Sequence, residues 1–300
     1  MKSMRADAIV YLNGDLMPLS QARISPLDYG FLHGYGLFET ARAYGGQVFR
    51  LEKHLARLER SARALHIDLG SMTRLKEAVC DTLTANHLSD ARVRITISAG
   101  EEGPSPDELP KGRPTVLITA RSYVPPSAQV YRRGFRAIVS RLHRSPRSPV
   151  PRLKSTSSLD IMLARQEAAS HGVDHAILLN DDGQVAEGSS SNVFYVKDSR
   201  LFTPDQHCGI LPGVTRDVIL REIAPSLKVS ADEGRMTLTD LLGADEAFLT
   251  NSIFEIMPLT VVAERSIGTG HPGPLTRRFM KAYKALVERS LALKDSLECS

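Results

Sequence analysis

Hydrophobic spacing switches repeatedly along this chain, and the order of the switches limits the folds open to it. Strand-like runs at residues 8–12 and 37–44 meet their partners through the tight turns Asn13-Gly14 and Gly45-Gly46, a hairpin arrangement. At Leu51 the period changes, because Leu51, Leu55, Leu58, Ala62 and Leu65 recur at three- and four-residue steps, one face of an amphipathic helix. Arg57 sits just off that stripe. A second helix is expected over Met72 to Asn86, then strands over Ala91 to Ala99 and Thr115 to Ala120 on either side of a loop from Gly100 to Pro114. Helices and strands mixed without strict alternation argue against a doubly wound sheet and for an α+β fold. Gly34-Tyr-Gly36 is therefore not a dinucleotide fingerprint, failing on spacing and context alike.

The adjacent prolines in Tyr123-Val-Pro-Pro-Ser-Ala-Gln stop both helix and ladder. A domain boundary is placed there: a small N-terminal domain over 1–120, a linker over 121–134 and a larger C-terminal domain over 135–300. Phe135 to Ser140 resumes strand character. Arg141 to Pro151 is basic and broken by prolines, so it is expected to be irregular. Leu159, Met162, Leu163 and Gln166 give Ser158 to Ser170 helical spacing. Ala176 to Leu179 and Gln184 to Ala186 form a hairpin ending at Glu187, and Asn192 to Val196 with Leu201 to Thr203 repeat it. Leu211-Pro-Gly-Val-Thr-Arg216 opens a helix reaching about Ile223. Strands at Glu246 to Thr250 and Glu255 to Val262 flank the turn Asn251-Ser252, and a helix near Pro274 to Leu291 closes the chain.

Composition excludes several classes. An apolar fraction of 42% and a charged fraction of 24% are ordinary for a folded chain, and a net charge of +4 suits anionic small molecules at least as well as nucleic acid. Cys80, Cys208 and Cys299 lack the spacing of a disulfide framework or a zinc site, so no metal is expected and a reducing, cytoplasmic setting is. No apolar run approaches the roughly 18 residues of a membrane span. Arg132, Arg133, Arg136, Arg141, Arg144, Arg147 and Arg152 form a basic series, but its prolines and the lack of any binding module argue against nucleic acid. They read as solvated surface.

The chemistry concentrates between Pro151 and Phe194, where Lys154 and Glu187 are delivered to neighbouring edges of one helix-and-strand passage. A lysine amine forms a Schiff base with an aldehyde cofactor, and a carboxylate keeps a pyridine nitrogen protonated. Alone, Lys154 reads as a surface lysine and Glu187 as an exposed strand end. Phosphate-binding features raise the pair above that. The helix start at Gly213-Val-Thr215 offers N–H groups and a hydroxyl, Thr250-Asn-Ser252 offers a second hydroxyl-bearing turn, and Arg57 offers a forked donor. Each also reads as an ordinary cap, turn or solvated arginine. Arg92 and Arg94 share one strand face with Thr96 and Ser98, lining either a polar interior or solvent. The aromatic, glycine-rich passage Asp28 to Gly36 is a plausible binding loop.

On Tyr29-Gly-Phe-Leu-His-Gly-Tyr-Gly-Leu-Phe-Glu-Thr40, His54-Leu-Ala-Arg-Leu58, Leu153-Lys-Ser155, Glu187-Gly-Ser-Ser-Ser-Asn-Val-Phe194, Gly213-Val-Thr-Arg216 and Asp245-Glu-Ala-Phe-Leu-Thr-Asn-Ser252, the chain resembles the class IV, fold-type IV aminotransferases. That family takes in D-amino-acid and branched-chain aminotransferases and 4-amino-4-deoxychorismate lyases. The resemblance implies a two-domain fold-type IV architecture, a smaller α/β N-terminal domain with a larger C-terminal pseudo-barrel, and pyridoxal 5'-phosphate held between them. It implies that Lys154 is the Schiff-base lysine and proton carrier and that Glu187 partners the ring nitrogen. Arg57, Val214, Thr215 and Ser252 would hold the phosphate, Leu211 would pack on the ring, and Ser190 would complete the cofactor shell. Phe31, His33, Arg94 and Ile253 would face the substrate. It further implies small amino and oxo acids as substrates and a homodimer whose partner lends a loop. Ala99 stands where the D-amino-acid enzymes carry arginine, while Arg94 matches the basic position of branched-chain enzymes and many lyases. Glu39 stands where some lyases carry threonine. Transamination comes first, with pyruvate-releasing lysis as the alternative.

Overall fold

The computed structural model describes residues 8–101 and 112–298. The chain divides into two compact units, Met1–Val124 with Leu153–Ser158, and Pro125–Arg152 with Leu159–Ser300. Most of the loop expected between Gly100 and Pro114 lies outside the described residues, as does Cys299.

The first unit holds β1 (Ile9–Leu12), β2 (Asp15–Pro18), α1 (Tyr29–Leu32), β3 (Gly36–Tyr44), β4 (Gln47–Val48), α2 (Leu51–Ala64), α3 (Met72–Ala85), β5 (Ala91–Ser98) and β6 (Val116–Ser122). Its strands form one antiparallel sheet in the order β2-β1-β6-β5-β3-β4. Asn13 and Gly14 turn β1 into β2 with φ of 54° and 120°, the positive values that a two-residue hairpin demands. Period two on β3 sends Leu37, Ala41 and Ala43 to the core, where they meet Leu51, Leu55, Leu58 and Ala62 of α2 and Leu75, Val79 and Leu83 of α3. Glu39 falls on the same buried face. A short segment returning from later in the chain also pairs with β3. The Phe38 N–H donates to the Lys154 carbonyl at 2.8 Å, and the Thr156 N–H donates to the Gly36 carbonyl at 2.8 Å.

The second unit contains α4 (Ala128–Arg133), β7 (Phe135–Arg144), α5 (Leu159–Ser170), β8 (His175–Asn180), β9 (Val185–Gly188), β10 (Asn192–Lys197), β11 (Arg200–Pro204), α6 (Val214–Val218) and α7 (Ala224–Ser226). It continues through β12 (Ala231–Gly234), α8 (Leu238–Leu242), β13 (Glu246–Asn251), β14 (Glu255–Val262), β15 (Arg265–Ser266) and α9 (Pro274–Glu298). A π-helical turn, Ile219–Ile223, joins α6 to α7. The nine-stranded sheet runs β12-β11-β10-β13-β14-β7-β8-β9, with β15 on β14. Its outermost strand curls back, since Gly188 bridges Ser191 at the start of β10. Val193, Phe254, Met257, Leu259 and Leu249 lie in its main core.

Two expectations change, and the linker passage gains detail. Residues 141–144 are not irregular, because β7 continues through His143↔Leu179 and Arg144↔Asn180 after a register shift, and the first proline of that run comes only at Pro146. Within the passage over 121–134, β6 reaches Ser122, the division between the two units falls at Val124 and Pro125, and Ser127 accepts from the Val130 N–H to cap α4. Helix α5 forms, but Leu159, Met162 and Leu163 are exposed while Ala164 and Ala168 are buried. Small alanines let it lie close against Ala176 and Leu178 of β8.

Glu246 carries a structural load across this unit. Buried on β13, it accepts from the Leu275 and Thr276 N–H groups at 3.0 and 2.6 Å, capping α9 from outside that helix. Glu246→Ala is expected to destabilise the protein by about 2 kcal/mol, read as a lowered urea midpoint.

Candidate active site

In the first unit the chemistry gathers around Phe38. Lys154 Nζ lies 4.5 Å and the Arg94 guanidinium carbon 4.0 Å from the centroid of its ring. The alternation of β5 explains Arg94: Val93, Ile95 and Ile97 go to the core, leaving Arg92 exposed and Arg94 half-buried on the other face. Arg94 Nε donates to Thr96 Oγ1 at 3.1 Å, and burial, with Arg92 beside it, lowers the guanidinium from its usual range. The open question about that face resolves residue by residue, with Arg92 in solvent and Arg94 settled against Phe38.

Next to Phe38 on β3, Glu39 points to the other face and meets α2. Its carboxylate accepts from Arg57 Nε at 2.8 Å and Arg57 Nη2 at 2.7 Å, and from His54 Nδ1 at 2.7 Å. Burial alone would raise this carboxyl, but Arg57 and His54 overcome it and hold it well below the ordinary carboxylate range. His54 is pushed down by burial, against the pull of Glu39. An ionised carboxylate only accepts, so Nδ1 carries the imidazole proton. Arg57 is thus a buried ion-pair residue, and neither Glu39 nor His54 stood out beforehand as its partner.

The aromatic loop is held by Asp28, whose buried carboxylate accepts from the Gly30 N–H, Ser98 Oγ and Thr115 Oγ1, each at 2.7 Å. Phe31 lines a cavity of about 380 Å³ together with Thr96, Ser98 and Thr156. It is 76% exposed. His33 is exposed, its ring tilted by 49° against Tyr29 at 5.1 Å between centroids, and it does not line that cavity with Phe31.

In the second unit Glu187 is buried, not an exposed strand end. Its Oε1 accepts from Arg144 Nε at 3.0 Å and Nη2 at 2.7 Å, and its Oε2 accepts from the Leu211 N–H at 3.0 Å. Arg144 Nη1 reaches Asp160 at 2.7 Å. This overturns the reading of Arg144 as solvated surface: it ends β7 largely buried between two carboxylates. Nothing in a series of seven arginines marked it out.

Leu211 is fixed from both sides, because its carbonyl accepts from Asn192 Nδ2 at 2.9 Å. A Cβ on Gly213 would come within 1.9 Å of Asn192 Oδ1, so a side chain there would displace the amide that holds Leu211. Val214 and Thr215, both buried, then open the helical run, whose N-terminus has no side-chain cap. Asn192 pairs in register with Thr250, bringing in the second turn. There Asn251 Oδ1 accepts from the Ile253 and Phe254 N–H groups at 2.9 Å, shaping the loop that carries Ser252, and Asn251 Nδ2 donates to the Ser190 carbonyl at 3.0 Å. The buried hydroxyls of Ser189 and Thr250 have no hydrogen-bond partner, a costly state that a ligand oxygen would relieve. Among the described residues no cluster suited to a metal ion occurs, and no helix is long and apolar enough to cross a membrane.

His175 underlies this loop, its Nε2 2.8 Å from Ser191 Oγ. Burial first, then Arg165, hold it down at about 4 against the opposing Asp174. Between pH 6.5 and about 4 the unfolded chain takes up a proton that the folded one refuses. Stability is therefore full above 6.5 and falls by about 3 kcal/mol as pH drops to 4. Urea denaturation at stepped pH is expected to show this slope, and His175→Gln to flatten it. Glu39→Gln, which leaves Arg57 buried without its counter-charge, is expected to cost about 3–5 kcal/mol in the same assay at pH 7.

The sequence profile described as Amino-transferase class IV matches residues 36–262. An aminodeoxychorismate lyase of Bacillus subtilis is 37% identical, covering 94% of this chain and 96% of its own length. Among solved structures, a branched-chain amino acid aminotransferase of Escherichia coli superposes with a TM-score of 0.88 at 30% identity, covering 93% of this chain and 94% of that one. The branched-chain amino acid aminotransferase of Thermobaculum terrenum, solved in its PLP-form, gives 0.84 at 28% identity, covering 94% of this chain and 94% of that one. A further similar branched-chain enzyme is solved with pyridoxamine 5'-phosphate.

Proposed function

Because this chain belongs to the class IV aminotransferases, a pyridoxal-phosphate family with the two-domain fold-type IV architecture, we propose that it moves amino groups between an amino acid and a 2-oxo acid with Lys154 as the reacting amine. The observation that carries the reading is the donor set of the second unit. A buried carboxylate, Glu187, is tied through the Leu211 N–H to a helix start that no side chain caps. Uncapped N–H groups and the orphan hydroxyls nearby suit a phosphate dianion, and the carboxylate suits a ring nitrogen.

Bound pyridoxal phosphate supplies an aldehyde for amines and a protonated ring that draws electrons from the substrate α-carbon. Glu187 holds the proton on the ring nitrogen. The N–H groups of Val214 and Thr215 and the hydroxyls of Thr215 and Ser252 would hold the phosphate, Leu211 and Ser190 would complete the cofactor shell, and Arg57 would add a further phosphate donor. Lys154 Nζ takes the α-proton and returns it on the far side of the transfer. Arg94, steadied by Phe38 and Thr96, receives a substrate carboxylate, Phe31 lines the cavity beside Thr96, and Ile253 stands on the turn that carries Ser252. The chain works as a homodimer: Phe31 at 76% exposed, Leu27 and Ile24 give the first unit an uncovered apolar surface that a second copy would cover. The free thiols Cys80 and Cys208 suit a cytoplasmic setting.

Lysis with release of pyruvate is the second reading, favoured by the near full-length similarity to the Bacillus subtilis aminodeoxychorismate lyase. Protein reconstituted with pyridoxal phosphate is expected to be yellow, and Lys154→Ala to lose the band and about 10³-fold or more in turnover. Colourless protein that pyridoxal phosphate cannot reconstitute refutes both readings. L-Leucine or D-alanine passing its amino group to 2-oxoglutarate marks transamination, and pyruvate from aminodeoxychorismate alone marks lysis.

A further inference from the structure

Arg144 is tied more closely to the candidate chemistry than its sequence context foretells. Its Nε and Nη2 both reach the same oxygen of Glu187, at 3.0 and 2.7 Å, so the plane of the guanidinium fixes where Oε1 lies. Its Nη1 reaches Asp160 at 2.7 Å, a residue of the first turn of α5. The other oxygen, Oε2, takes the Leu211 N–H just ahead of the uncapped helix start. One cation thus stands between two carboxylates and joins the end of β7, the start of α5, the end of β9 and the approach to α6. Burying such a group is a poor way to gain stability, since apolar residues of similar volume serve as well or better. The arrangement does fix the orientation of Glu187, and a guanidinium at this distance favours the ionised form of a carboxylate.

We propose that Arg144 is a positioning residue for the reaction, fixing the Glu187 carboxylate in orientation and in its charged form, and that Asp160 positions Arg144 in turn. The inference rests on the reading of Glu187 as partner of the ring nitrogen. A lysine could not replace it fully, because one ammonium on a flexible stem does not present a rigid fork to Glu187 and a third donor to Asp160.

The test uses the holoenzyme reconstituted with pyridoxal phosphate and compares Arg144→Gln, Arg144→Lys, Asp160→Asn, Glu187→Gln and the Arg144→Gln/Glu187→Gln double variant. Absorption maximum, cofactor dissociation constant, kcat and KM are measured for each. Arg144→Gln is expected to lower kcat by about 10- to 100-fold with KM changed by less than about 3-fold, and to move the absorption band in the direction that Glu187→Gln moves it. Arg144→Lys is expected to recover only part of this. The double variant should be no worse than Glu187→Gln alone, the sign that Arg144 acts through that carboxylate. Losses that add in the double variant, or an unmoved band in Arg144→Gln, overturn the proposal. Asp160 is much more exposed than Arg144, so Asp160→Asn keeps the test decisive if Arg144→Gln does not fold: a band shifted the same way supports the proposal, and an unmoved band defeats it. A Glu187→Gln enzyme with unchanged band and kcat would defeat the reading of Glu187 itself, a separate outcome.

Discussion

Two glutamates, one in each unit, sit where water cannot solvate them, and each is compensated by the Nε and Nη2 of a single arginine: Glu39 by Arg57 and Glu187 by Arg144. A buried carboxylate is tolerable only with such a partner. Each pair is completed by a further donor, His54 Nδ1 in one case and the Leu211 N–H in the other. These contacts join a strand to a helix in the first unit, and strand ends to a loop and a helix start in the second. The charged groups are therefore also fixed points of the local architecture. Rigid placement of this kind is what a site needs when its side chains must meet a ligand without rearranging.

In the second unit the loop and helix start beside Glu187 are held by asparagine side chains bonded to backbone groups. Asn192 grips the Leu211 carbonyl, and the bare Gly213 lets the chain turn against it. Asn251 folds its own turn and ties it to Ser190. Helix start and turn thus keep their places without a side chain occupying the N-terminus of the helix. Charge supplies the rigidity, and short-range amide bonds supply the shape.

What could be read in advance follows from locality. Asn13-Gly14, the stripe from Leu51 to Ala62, and the alternation of β5 are set by neighbours within a few residues, and they appear in the structure as expected. The family itself was legible too, because its resemblance is carried by short dense motifs. Arg144 was illegible because its partners lie far along the chain, at Asp160 and Glu187, and its neighbours are other arginines. The face of α5 was misread because apolar spacing marks a stripe without saying whether it is covered. In this helix Ala164 and Ala168 make the close contact, while Leu159 is exposed. Glu39 had an apolar strand face to itself in sequence, and only the packing of α2 shows what neutralises it.

The segment Leu153–Ser158 belongs to the first unit although the chain on both sides of it belongs to the second. It lies along β3 through the Phe38 and Thr156 amides, and it carries Lys154. The first unit is accordingly not a module that a single break in the gene can separate. A chain ending at Val124 would keep the six strands of that sheet and lose the segment with Lys154 that pairs with β3, whereas Pro125 onward would keep the segment and lose the strand that seats it. Recombination at the boundary after Val124 would part β3 from the segment that pairs with it, so the first unit is inherited whole only together with the stretch through Ser158.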